Sequence, residues 1–145
     1  MFANRFRLSK CVLFAFAVVS LVIAGCETQT KDSFDPIRLM VCQGKYQQAI
    51  PLLQKYQGKH ASRASFFLGK AYLGMGDTQK ALAAFEATAK RFSNTDEGHK
   101  SRYKIGMIHY VNGDLENAKR QFEELAKNPD GPLAAESQFM LQLFD

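Results

Sequence analysis

Three histidines, His60, His99 and His109, are the side chains best suited to proton transfer or metal binding near neutral pH. Their spacing supports neither. No His-Glu-x-x-His run or other metal-ligand spacing is present. His60 and His99 fall at expected helix starts or turns, in water. His109 falls on an expected helix interface, where a hydrogen-bonded structural histidine is the simpler reading. Gly74-Met75-Gly76 has glycines but lacks the Lys-Ser/Thr of a phosphate-binding loop, so it reads as a turn. Asp96-Glu97 and Glu123-Glu124 are carboxylate pairs of the kind acid–base catalysis uses. The first begins a helix and the second lies on a solvated face. The sequence therefore offers no catalytic residues, no metal site and no cofactor, and the chain is not expected to be an enzyme.

The chemistry that remains belongs to cysteine. Arg5, Arg7 and Lys10 give the chain a positive start, and the 15 residues from Cys11 to Gly25 carry no charge. About 20 apolar residues are needed to span a bilayer as a helix. A basic start, a short apolar stretch and small residues at its end describe an export signal over residues 1–25. An uncleaved membrane anchor is the alternative. The stretch closes on Ile23-Ala24-Gly25-Cys26. This resembles the lipobox of bacterial lipoproteins, with Ile23 in place of the usual Leu. The resemblance implies cleavage before Cys26, a diacylglycerol on its sulfur and acylation of its new amino group. Two or three acyl chains anchor a protein stably. Asp after the lipidated Cys is the usual inner-membrane retention signal in diderm bacteria. Glu27 therefore implies the outer membrane, periplasmic face; in a monoderm the same anchor implies the outer face of the plasma membrane.

Removal of residues 1–25 lowers the net charge from +5 to +2, so the basic balance belongs largely to the signal. No electrostatic case for nucleic-acid binding remains. Cys42 is then the single thiol left, and no intrachain disulfide is possible. It is expected to be buried in a helix interface, the commoner state of a free cysteine, or else paired with another chain.

The elements that position these groups are helices. Residues 26–34 form a short polar tether; its first eight residues reach at most about 28 Å. Asp35-Pro36 then reads as an N-cap followed by proline in the first helical turn. Shifting the chain by 37 residues superimposes Gly69 on Gly106, Gly76 on Gly113, Asp77 on Asp114 and Ala81 on Ala118. It also superimposes Phe85 on Phe122, Glu86 on Glu123, Ala89 on Ala126 and Lys90 on Lys127. An internal repeat at one offset is the signature of a stacked-repeat architecture. Gly76 and Gly113 each end one helix, and Asp77 and Asp114 each cap the next. Asn128-Pro129-Asp130-Gly131-Pro132 stops a helix and starts another near Leu133. The pattern predicts seven helices, at about 35–43, 46–57, 61–74, 78–92, 97–111, 115–127 and 132–144. Pro51 lies inside the second and removes one backbone bond there.

Leu68-Gly69, Tyr72, Gly76, Ala81 and Phe85, then Ile105-Gly106, Gly113, Ala118, Phe122 and Pro129, resemble the tetratricopeptide repeat (TPR) family. Ser65 and Arg102 depart from its Trp position, and His109 from its Tyr. The 37-residue period resembles that of envelope TPR proteins such as outer-membrane assembly lipoproteins and the Tol-Pal-associated coordinator. The resemblance implies an all-α solenoid of about 3.5 hairpins: a degenerate repeat at 35–60, full repeats at 61–97 and 98–131, and a terminal helix at 132–145. It also implies a groove lined by the first helix of each hairpin. Those positions are Arg63, Phe66, Lys70 and Leu73, then Lys100, Tyr103, Met107 and Tyr110, then Phe139 and Leu143. Phe66, Tyr103 and Phe139 would form an aromatic ladder beside Arg63, Lys70 and Lys100. Such a groove suits a peptide with apolar anchors and some negative charge.

The terminal helix is apolar around most of its girth, whereas solenoids usually end on a polar face. Met140 and Phe144 either fold back on the preceding hairpin or form a partner or homodimer surface. The expected function is a lipid-anchored adaptor or scaffold for a protein or peptide of the bacterial envelope. The alternatives are a pilotin-like carrier for a secretin or pilus subunit, and an accessory factor in cell-wall maintenance.

Overall fold

The computed structural model describes residues 34–144. The signal, Cys26, Glu27 and the tether before Phe34 lie outside the described residues. Among those described there are seven α-helices, a closing 3-10 turn and no strand. They are α1 (Asp35–Cys42), α2 (Tyr46–Lys55), α3 (Ala61–Gly74), α4 (Thr78–Arg91), α5 (Asp96–Val111), α6 (Leu115–Ala126) and α7 (Ala134–Leu141). The 3-10 turn is Gln142–Phe144. The architecture is an all-α solenoid: α1/α2, α3/α4 and α5/α6 are hairpins, and α7 packs on α6.

One turn chemistry, used three times, folds each hairpin. Gly44, Gly76 and Gly113 have φ of +75°, +78° and +76°, which is inexpensive for glycine alone. The glycine N–H donates to the carbonyl three residues back, at Val41, Leu73 and Tyr110. The next residue's N–H donates five back: Lys45 to Met40, Asp77 to Tyr72, Asp114 to His109. This pair of bonds satisfies carbonyls that the ending helix leaves free. The following helix is then capped from its own side. Asp77 Oδ1 accepts the Lys80 N–H at 3.0 Å, and Asp114 Oδ1 accepts that of Asn117 at 3.3 Å. Thr95 does the same for α5, accepting from Gly98 N–H at 3.2 Å.

The core is a row of three clusters between successive helices. Phe34, Val41, Ala49, Leu53, Ala64 and Ala71 form the first. Ala81, Phe85, Ala89, Ile105 and Ile108 form the second. Ala118, Phe122 and Met140 form the third. Three expectations need correction here. Phe34, assigned to the tether, is 1% exposed and stacks its ring edge-on against Tyr56 and Phe67. It also takes the N-cap place, so Asp35 is the first helical residue, and its carboxylate accepts from Arg38 Nε at 3.2 Å. Cys42 is exposed rather than buried, because α1 turns its Val41 side inward and leaves the next residue outside. α2 runs without a break through Pro51.

The caps give the fold an acid-sensitive component. Asp77 is held below its ordinary carboxyl value of 3.8 by its bonds to Lys80, Asp114 by those to Asn117, and Glu124 below 4.5 by Lys127. Groups with depressed folded-state pKa values stabilise the fold above their unfolded values, and that stability is lost as pH falls through the folded ones. The urea midpoint is therefore expected to hold steady down to about pH 4.5 and to fall below it. Replacing Asp77 and Asp114 together by Asn keeps the capping acceptors and should flatten this fall. An unchanged acid dependence in that variant would remove the caps as its cause.

Candidate functional site

The first helices lie side by side: α3 touches α1 and α5 as well as its hairpin partner α4. That row is the face on which the groove positions were expected. At the starts of the helices, Arg63, Phe66 and Lys100 meet in a cleft of about 530 Å³ that also holds Asp35, Arg38, Asp96 and Glu97. The cleft is not basic. Arg63 Nε lies 3.4 Å from Glu97 Oε1, and Ser62 Oγ donates to the other oxygen of that carboxylate at 3.2 Å. Glu97 bridges the two hairpins through a side chain that is only 14% exposed. Its acidic neighbours offset the cations, so the expected preference for negative charge has no basis at this end.

At the far ends of the same helices, Leu73 and Met107 meet Ile108 and Val111 around a second depression. Lys70, between the two ends, places Nζ 4.9 Å over the Phe67 ring. The aromatic positions do not stack on one another. Phe66 is half-buried, with ring contacts to Phe67 and Phe85 at 5.9 and 5.7 Å. Tyr103 is half-buried on Phe122 at 5.5 Å, and Tyr110 on Phe144 at 5.6 Å. Each ring thus supports the packing of its own hairpin or of the chain's end. Phe139 and Leu143, on the terminal helix and turn, are 62% and 52% exposed. Met140 and Phe144 fold back onto the cluster around Phe122, the first of the two arrangements posed for them.

Three contributors were not singled out from the sequence. Glu97 was read only as a helix start, and its partner 34 residues earlier carries no local signal. Lys104 stands on the wall of the second depression, and Val111 is exposed at its rim. Val111 had a readable signal: a β-branched apolar residue directly before the polar turn Asn112-Gly113. His109 is where a structural histidine should be, with Nδ1 3.0 Å from Asp114 Oδ2. Among the described residues no group of three or more His, Cys, Asp or Glu side chains is placed to hold a metal. No helix among them is long and apolar enough to cross a membrane.

Comparison with known families agrees with this geometry. Residues 41–96 and 100–131 each match a tetratricopeptide repeat model. The first match spans α2, α3 and α4, and the second α5 and α6. No curated protein was found to match the chain. Tetratricopeptide repeats are in general protein-interaction modules without enzymatic activity. With two matches that together cover more than half of its length, a glycine-turned hairpin repeated along a solenoid, and one face formed by first helices, the chain belongs to the tetratricopeptide repeat family.

Proposed function

We propose that this protein is a lipoprotein held to a bacterial envelope membrane through Cys26, and that its first-helix face binds a segment of another envelope protein. The observation that carries the binding half is the apolar surface left in water on that face: Leu73 and Val111 are exposed beside Met107 and Ile108. Burying such side chains is favourable by roughly 1.5–3 kcal/mol each, which makes a row of them a binding surface. The lipobox and the export signal support the address. A periplasmic outer-membrane face follows from Glu27 in a diderm, and the outer face of the plasma membrane in a monoderm.

The binding half is tested by crosslinking pull-down from intact cells. Leu73→Ser with Lys100→Glu alters the groove without touching the cores that Phe66 and Tyr103 support. Phe139→Ser with Leu143→Ser alters only the terminal helix and turn. Loss of the captured partner with the first pair supports the groove. Loss with the second pair alone moves the interface to the chain's end, the reading that the exposure of Phe139 favours. Capture unaffected by both sinks the proposal.

For the address, Cys26→Ser is expected to abolish fatty-acid labelling and to release the protein from the membrane fraction. A variant that stays membrane-bound, from a parent that never incorporates label, would mean an uncleaved anchor. A partner that loses its own localisation in Cys26→Ser cells would mark a carrier of the pilotin kind. A partner that stays in place would mark a scaffold, as in wall maintenance.

A further inference from the structure

The two ends of the groove differ in chemistry. The end at the helix starts is charge-balanced, with Asp35, Asp96 and Glu97 against Arg38, Arg63 and Lys100. The end at the last turns of α3 and α5 is an open depression of about 200 Å³, room for one large side chain. Leu73, Met107, Ile108 and Val111 give it an apolar lining, with Thr78 and Asn112 at its edge. Lys104 is the one ionisable residue among those lining it. Leu73 is 38% exposed and Val111 78%. An apolar hollow beside a cation with no ion pair among the described residues is complementary to a ligand that presents an aliphatic group and an anion together.

We propose that this depression takes an extended peptide segment carrying a large aliphatic side chain with a carboxylate side chain one or two residues along it. The aliphatic group fills the hollow between Leu73, Met107 and Val111, and the carboxylate pairs with Lys104 Nζ. The Thr78 hydroxyl and the Asn112 amide are the hydrogen-bonding groups at its edge for the peptide backbone. The α5 C-terminus carries negative partial charge that would oppose an anion, but this effect is confined to the last turn. Lys104 lies about two turns before Val111, outside its reach. Because the depression is open, the chain passes across it, and the anion is an acidic side chain within the segment. The proposal rests on the groove reading above and narrows it to one pocket and one sequence pattern.

The test is panning of a random nonapeptide display library on the mature chain from residue 26 with Cys26→Ser, beside its Lys104→Glu and Val111→Ser variants. Circular dichroism first establishes that all three proteins have the same helix content. The parent is expected to enrich peptides with Leu, Ile or Met within two positions of Asp or Glu. On Lys104→Glu the acidic preference should reverse to Lys or Arg at the same position. In a winning peptide, the aliphatic residue changed to Ala is expected to weaken binding at least about tenfold, and Val111→Ser to weaken the parent peptide by roughly three- to tenfold. No enrichment on any of the proteins overturns the proposal. So does enrichment with the same charge preference on the parent and on Lys104→Glu. Peptides that bind the parent, Lys104→Glu and Val111→Ser alike, but not Lys100→Glu at the other end of the groove, would retain the groove reading while removing this pocket from it.

Discussion

Replacing Phe122 by alanine lowers the unfolding free energy by about 3–5 kcal/mol, out of the roughly 5–15 kcal/mol that holds a domain of this size folded. Phe122 is 0% exposed. Its ring meets Tyr103 at 5.5 Å and Phe144 at 6.2 Å, and it packs with Ala118 and Met140. Truncation leaves a cavity that a helix hairpin capped on both sides cannot fully close. The loss should also be local. A solenoid's stability is a sum of repeat and neighbour terms, and Phe122 joins α5, α6 and the chain's end. Urea denaturation gives the magnitude. Hydrogen exchange gives the place: α7 and the 142–144 turn should exchange quickly while α2 and α3 keep their protection. A loss below about 1 kcal/mol, or protection lost evenly along the chain, contradicts this account of the core.

The same residue separates what could be read in the sequence from what could not. The helices fall within a few residues of their expected ends because their signals are local. A glycine that must adopt positive φ ends each first helix, and at Gly76 and Gly113 the aspartate that follows caps the next one, whereas Lys45 after Gly44 makes no side-chain cap. Phe85 and Phe122 were visible through the 37-residue repeat, since each is the large apolar residue in the second helix of its unit. Phe34 was not, because it precedes the first repeat signal and follows a polar run; only Tyr56, His60 and Phe67, brought beside it by the fold, make it core. The charge of the groove was misread for the same reason. Arg63 looks free until Glu97 arrives from the next hairpin. Cys42 was placed inside on the habits of cysteine, whereas the short α1 has one inward side, and Val41 occupies it. Face and partner are decided by neighbours distant in the chain, and a single sequence carries them only where the repeat copies them.

Gly69→Ala is expected to destabilise the protein by about 1–3 kcal/mol, although glycine to alanine inside a helix ordinarily gains up to about 1 kcal/mol. The sign reverses because α3 and α4 approach each other at this residue. A Cβ on Gly69 would lie 2.5 Å from Phe85 Cε1 and 2.6 Å from Cδ1. The ring cannot swing away, since Phe85 is 0% exposed and Phe66 lies against it at 5.7 Å. Relief has to come from α3 moving off α4. The equivalent Gly106→Ala meets Phe122 Cε1 at 2.8 Å, so its cost should be the smaller of the two. A double-mutant cycle identifies the cause. Phe85→Leu removes ring atoms from the contact, so Gly69→Ala with Phe85→Leu should lose less stability than the two single changes added together, by about 1 kcal/mol or more. Additive losses would mean that the clash is relieved elsewhere, and a stabilising Gly69→Ala would mean that ring contact does not set the helix spacing. The groove shares in this spacing. Lys70 and Leu73 ride on the same helix one and four residues further on, so a shift of α3 that leaves the fold intact should still weaken whatever binds along its face.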